Sequence, residues 1–282
     1  MYYLVGLSSN IRSILTLANL AQERPKSIPE LRIAYIKFCR NAIGDPSIPT
    51  DLDAQYCTDP IRIDRLVRKY LEKTEIDDLL YTIDPTPDSA RAAARPAIQD
   101  GKKHLANVNA ELAELFDLVI HTMFYQRTSD SVGGSASSAL GVIWFGHRKN
   151  WNTQDMAEFM LHELAHNLLF IDERVQGHYQ SHEILSDDKT HAHSSVLQVK
   201  RPLDKAFHSL VVAHELLQFR AHHPNIAAPS LHPETNILRN SAMRTARDID
   251  AIVNRTDVVL PRFNDILSKI TSNLENLPSS YQ

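Results

Sequence analysis

Leu161-His162-Glu163-Leu164-Ala165-His166-Asn167 is the stretch on which the reading of this chain turns. On a helix, residues four apart share a face with Cβ atoms about 5–6 Å apart, so the imidazoles of His162 and His166 can close on one metal ion. Glu163 falls on the adjoining face, within reach of a water or a substrate at that ion. The same letters also occur by chance on ordinary buried helices, so the surroundings have to decide.

Those surroundings read as helix. Asn152 and Thr153 are both good N-cap residues, and Asp155 and Glu158 place negative charge in the first turns, where the helix dipole favours it. No Pro or Gly interrupts the run from Gln154 to Ile171. Projected at 100° per residue, Phe159, His162, His166, Leu169 and Phe170 share one sector, while Met160, Leu161, Leu164, Leu168 and Ile171 fill the opposite side. A helix apolar nearly all round is a buried one. Two histidines and a glutamate inside it need a partner, because each uncompensated polar group costs about 1–3 kcal/mol, and a metal ion satisfies all three.

Catalytic metal sites commonly use three protein ligands and leave positions open. The run Lys200-Arg201-Pro202-Leu203-Asp204-Lys205-Ala206-Phe207-His208, continuing to Glu215, supplies the choices. Pro202 suits the first position of a helix, with Asp204 beside its positive end. On that helix Asp204, His208, Val211, Val212, Glu215 and Phe219 share a face, an unusual stripe for plain packing. His208 is the expected third ligand, followed by Glu215 and then Asp172, with a satisfied core histidine as the competing reading of His208. Eight of the fourteen histidines lie between His162 and His214. Of these, His178, His182, His191 and His193 stand in a polar, loop-like stretch that reads mostly as solvated.

The remainder of the chain bounds the class. Its 282 residues can bury a large core. A formal charge of −4 with no basic block argues against a nucleic-acid partner. Cys39 and Cys57 are the only cysteines, which suggests a reducing compartment and provides no C-x-x-C zinc pair. The start, Met1-Tyr2-Tyr3-Leu4-Val5-Gly6, lacks the form of a signal peptide, and no run approaches the roughly 18 apolar residues of a membrane span. The expected location is cytoplasmic, with no membrane partner.

The pattern predicts helices over Ser9–Gln22, Pro29–Asn41, Ile61–Lys73, Glu75–Tyr81, His104–Leu118, Gln154–Ile171, Pro202–Ala221 and much of Asn236–Leu274. Strands are expected at Leu118–Tyr125 and Leu140–Gly146, the latter carrying Trp144 and Phe145. Between them the Ser/Gly-rich run Ser129–Ser138 reads as a mobile loop. A strand just upstream of a metal helix can hold an extended peptide by edge pairing, so Trp144 and Phe145 are expected to border a substrate groove with that loop as lid. Pro85, Pro87 and Pro96 suggest a boundary between lobes. The predicted fold is mainly α with a small β-sheet: a helical N-terminal lobe over residues 1–95 packed on a metal-binding lobe over residues 96–282.

The segment His162 to Glu173, followed by Arg201-Pro202-Leu203-Asp204-Lys205-Ala206-Phe207-His208-Ser209, resembles the HExxH-motif peptide-modification proteins encoded beside precursors of ribosomally made, modified peptides. The resemblance covers Gln154 to Gln218. It implies a peptide substrate and, by analogy with some members, an iron(II)/2-oxoglutarate enzyme that hydroxylates side chains at Cβ. Under it His162, His166 and His208 supply the metal ligands. Arg201 is the expected partner of the distal carboxylate of 2-oxoglutarate, because a guanidinium matches a carboxylate bidentately; Arg174 and Lys200 are weaker choices. The alternative is a zinc metallopeptidase with Glu163 as general base. Its metzincin form is excluded by Leu169-Phe170, where that pattern carries a Gly.

Overall fold

The computed structural model describes residues 1–21, 23–71, 82–129, 131–146, 151–223 and 230–277. It is mainly α-helical with a small sheet, as the pattern predicts. Contacts gather into two compact units, one of residues 11–170 and one of residues 1–10 with 171–282. The division expected at Arg95 falls inside a helix, α5 below.

The unit of residues 11–170 is a sheet covered by helices. Its helices are most of α2 (Leu7–Leu20), α3 (Ile28–Ile43), α4 (Pro60–Tyr70), α5 (Asp88–Val108), α6 (Ala110–Val119) and most of α7 (Thr153–Gln176). Its strands are β1 (Gln55–Cys57), β2 (Thr122–Tyr125), β3 (Gly133–Ser135) and β4 (Val142–Phe145), in the spatial order β1-β2-β4-β3. The first three of that order are parallel, with Met123 opposite both Tyr56 and Ile143, and β3 runs antiparallel with Gly134 opposite Trp144. Strands β2 and β4 are buried at every residue, Thr-Met-Phe-Tyr and Val-Ile-Trp-Phe, the near-continuous apolar runs expected of strands covered on both faces. Because β1 pairs with β2, residues on both sides of Arg95 share one sheet.

Several local expectations shift for identifiable reasons. The single helix expected over His104–Leu118 is two, because Asn109 adopts an extended conformation and its side chain caps Leu112 N at 3.0 Å. Leu118 and Val119 close α6, so the following strand starts only at Thr122. Pro96 lies within α5 instead of marking a boundary, and Pro87 precedes its first residue. The Ser129–Ser138 run is not wholly loop, since Gly133–Ser135 forms β3. The helix expected at Glu75–Tyr81 lies outside the described residues.

The other unit holds α1 (Tyr2–Val5), the end of α7, a two-stranded hairpin of β5 (Ala192–His193) and β6 (Lys200–Arg201), and α8 (Leu203–His222), α9 (Thr235–Val253) and α10 (Pro261–Glu275). Nearly every residue of α8 from Ala206 to Leu217 is buried, and α9, α1 and α10 pack on it. Among the described residues no helix is long and apolar enough to cross a membrane.

Candidate metal centre

Helix α7 begins where Asn152 and Asp155 cap each other: Asn152 Oδ1 accepts from Asp155 N at 2.9 Å and Asp155 Oδ2 accepts from Asn152 N at 2.8 Å. This is a reciprocal capping box with Asp in the returning position. The helix ends at Gly177, whose positive φ of 73° a residue with a side chain rarely adopts. Between Gln154 and Phe170 every residue is buried except His162, His166 and Phe170, which form one stripe at spacing four.

The two imidazoles meet on that stripe. His162 Nε2 and His166 Nε2 are 3.1 Å apart, with ring centroids 4.9 Å apart, and Phe170 stacks on the His166 ring at 6.2 Å. An ion about 2.0–2.1 Å from both nitrogens would see them at about 95–100°, between the octahedral and tetrahedral values. The pair therefore fits a divalent transition metal. Glu163 Oε1 lies 4.0 Å from His162 Nε2, and the side chain is 3% exposed.

Two tethers from the sheet side fix this segment. Ser135 Oγ donates to Glu163 Oε2 at 2.8 Å, and Gly141 N donates to Asn167 Oδ1 at 2.7 Å. Asn167 Nδ2 in turn donates to the Glu163 carbonyl at 2.9 Å. Close approach of β3 to α7 depends on Gly133, where a Cβ would fall 2.2 Å from Phe159 Cε2. Neither Ser135 nor Asn167 was singled out from the sequence. Gly-Gly-Ser reads as flexible chain, and nothing local connects Ser135 with a carboxylate 28 residues away.

The expected groove residues occupy other positions. Trp144 and Phe145 are 5% and 1% exposed, and Phe145 packs against Tyr56, Tyr125 and Phe159 with centroids 5.4–6.0 Å apart. Their strand β4 has a neighbour on each side; among the described residues the outer strand at this end of the sheet is β3.

His208, on α8, belongs to the other unit. Burial, reinforced by Lys205, His178 and Arg201, pushes its protonation well below the usual histidine range, so the ring is neutral, the form that binds metals. Arg201 is half-buried on β6, while Arg174 and Lys200 are exposed. The two reserve ligands are engaged elsewhere. Glu215 accepts from Tyr3 N at 2.9 Å and Leu4 N at 3.1 Å and lies 3.0 Å from the Met1 amine. Asp172 is gripped by Arg262 through two bonds, 2.9 and 2.6 Å, and by His178 at 2.9 Å. The expectation of solvated loop histidines holds for His182 but fails for His178 and His193, which are 1% and 5% exposed. His193 faces Ser241 Oγ at 3.0 Å, and His178 turns back onto the end of α7.

Among the described residues no group of three or more His, Cys, Asp or Glu side chains is gathered to hold one ion. The structure thus brings two imidazole nitrogens together, and a third ligand is expected only from the sequence. No protein-family model and no curated protein matches the chain.

Proposed function

We propose that this chain is a metal-dependent, peptide-modifying enzyme: an iron(II)/2-oxoglutarate oxygenase that hydroxylates a side chain, at Cβ, of a ribosomally made precursor peptide. The observation that carries the metal reading is the 3.1 Å pair of His162 and His166, partly open to solvent on a stretch of helix that is otherwise buried from Gln154 to Leu169. The choice of oxygenase follows the two-motif resemblance. When bound, iron(II) with 2-oxoglutarate and oxygen supplies the oxidising power to insert one oxygen atom into a C–H bond, with succinate and carbon dioxide released.

The side chains divide the remaining work. His162 and His166 hold the ion, with His208, neutral through burial, as the third ligand the sequence implies. Arg201 takes the distal carboxylate of 2-oxoglutarate. Glu163, fixed by the Ser135 hydroxyl, is available to orient a ligand imidazole or a water beside the ion. A peptide substrate is supported by β3, the outer strand at this end of the sheet among the described residues, whose Ser135 is bonded to Glu163; an extended chain can add to such an edge through main-chain hydrogen bonds.

The test is anaerobic loading with iron(II), then 2-oxoglutarate, candidate peptide and oxygen. A peptide gain of one oxygen atom in step with succinate is expected. Arg201→Ala should raise the 2-oxoglutarate requirement steeply, because truncating one partner of a buried charge pair costs about 2–5 kcal/mol.

One observation favours a second reading, zinc peptidase. Glu163 Oε1 lies 4.0 Å from His162 Nε2, where a carboxylate can take the proton of an attacking water. Glu163→Gln should then abolish cleavage while metal uptake persists. Cleaved peptide with zinc bound, and no succinate under any condition, would decide for hydrolysis.

A further inference from the structure

A cavity of about 560 Å³ opens in the unit of residues 11–170, beside the carboxyl ends of the parallel strands β1 and β2. Asp64 and Arg68, one turn apart on α4, line it together. Asp84 and Thr86 come from the chain before α5, Arg91 from the first turn of α5, and Gln126 from the position after β2. The volume is that of a small-molecule site, for which about 300–1,000 Å³ is usual. Its walls are fixed in advance. Gln126 Nε2 donates to the Asp84 carbonyl and to Thr86 Oγ1, both at 2.8 Å, and Asp84 N donates to the Arg127 carbonyl at 3.1 Å.

Arg91 and Gln126 are 8% and 3% exposed. A guanidinium carries five N–H donors and keeps its charge, so taking it this far out of water needs compensation. Arg91 receives little. Its Nη1 donates to Asp88 Oδ1 at 2.8 Å, Nη2 reaches Gln126 Oε1 only at 3.4 Å, and Nε is buried with no partner. Asp88 is a weak counter-ion, because its side chain is 69% exposed and water screens the pair. A purely structural arginine would close on a buried carboxylate with two bonds, as Arg262 does on Asp172. Arg91 instead has donors to spare for an acidic group in the cavity.

We propose that this cavity binds a free α-amino acid, its carboxylate on Arg91 and its ammonium group on Asp64 and Asp84. The lining charges decide between acidic ligands, since a guanidinium matches carboxylate and phosphate alike. Three carboxylates, Asp64, Asp84 and Asp88, line the cavity with only two guanidiniums, Arg68 and Arg91. A phosphate, close to doubly charged at neutral pH, meets like charge there. A zwitterion has a group for each sign: its acid faces the buried guanidinium, where screening is least, and its amine faces the more open carboxylates. Asp84, half-buried and held by Ser129 Oγ at 2.8 Å, is a fixed acceptor for that amine. Every lining residue lies between Pro60 and Gln126, so the site stands whether or not α7 binds a metal.

The test is direct on the unaltered full-length chain labelled with ¹⁵N, because the buried Arg91 Nε–H and the Gln126 side-chain amide each give their own resonance. Pools of the free L-amino acids at neutral pH are the probe, with acetate and inorganic phosphate as separate arms. At least one amino acid is expected to shift both signals saturably, and acetate and phosphate to bind at least about tenfold more weakly. No shift with any pool, a shift that spares Arg91 and Gln126, or equal binding of acetate or phosphate overturns the inference without any variant needing to fold. Calorimetry with the amino acid that binds adds a second measurement. Arg91→Gln should lower affinity by about 30-fold or more, the loss expected when one partner of a buried charge pair is truncated. Asp64→Asn, at an exposed position, should lower it by up to about fivefold. Unchanged affinity in Arg91→Gln refutes the site, and affinity that rises in Asp64→Asn refutes the zwitterion in favour of a simple anion.

Discussion

Replacing Gly133 by Ala tests whether β3 lies against the metal helix as described. The new Cβ would fall 2.2 Å from Phe159 Cε2, 2.6 Å from its Cζ and 2.9 Å from the Trp144 carbonyl oxygen. Carbon atoms rest about 3.5–4.0 Å apart, so the overlap exceeds 1 Å by a clear margin. Phe159 has nowhere to turn, being 4% exposed and packed on Phe145 at 6.0 Å and Trp151 at 5.7 Å. The strand must lift instead, which breaks its pairing with β4 and draws Ser135 away from Glu163. Overpacking of this kind costs about 1–3 kcal/mol and a lost bond to a charged group about 1.5–3 kcal/mol. The two losses share one movement, so a combined loss of about 2–4 kcal/mol is expected, roughly 5–15 °C in melting temperature for a chain of this size. Gly134→Ala is the control. Its nearest atom is the Trp144 indole nitrogen at 3.0 Å, the end of a side chain that can give slightly, so the loss should stay within about 1 kcal/mol. Calorimetry on both variants decides the matter. A Gly133→Ala protein melting within about 2 °C of the parent, or a larger loss from Gly134→Ala, would refute the placement of β3.

Three further outcomes follow from the site and its surroundings. Ser135→Ala should destabilise by about 1.5–3 kcal/mol through the buried Glu163 carboxylate while leaving metal uptake intact, since neither imidazole is touched; dialysis showing lost metal would contradict that division of roles. His166→Ala should abolish tight zinc or cobalt binding, and stoichiometric uptake by that variant would remove the basis of the proposed function. His121, between Thr122 Oγ1 at 3.0 Å and the Leu140 carbonyl at 2.9 Å, is held neutral by burial, its protonation pushed down to about 3 from 6.5. The unfolded chain gains this proton near pH 6.5 and the folded chain does not, so the contribution is complete above 6.5 and is lost as pH falls toward 3. The loss amounts to up to about 5 kcal/mol. Urea midpoints at several pH values should decline less steeply for His121→Gln, and parallel curves would count against it.

The sequence by itself determined the parts whose causes are local. The capping residues Asn152 and Asp155, the uninterrupted apolar run and the spacing of His162 and His166 all act within one or two helical turns, so the helix and the meeting of its two imidazoles were legible before any tertiary structure. The same holds for α8, whose long apolar run announces it, although Pro202 stands as its N-cap, one place before the first helical position expected of it. Only the tertiary structure decided the contacts that need distant chain brought together. The Ser135–Glu163 bond spans 28 residues, the grip of Arg262 on Asp172 spans 90, and the bond from Tyr3 N to Glu215 spans 212. Each turns a residue away from its local reading: a flexible Gly-Gly-Ser becomes an outer strand, and Glu215, a reserve metal ligand by its helical face, becomes the anchor of α1. His178, one polar residue in a polar stretch, becomes a buried, carboxylate-backed imidazole. Periodicity records which face of an element is apolar, but not which distant backbone amide or guanidinium will meet a given carboxylate, because that depends on how the loops close and on the sum of packing across the whole unit.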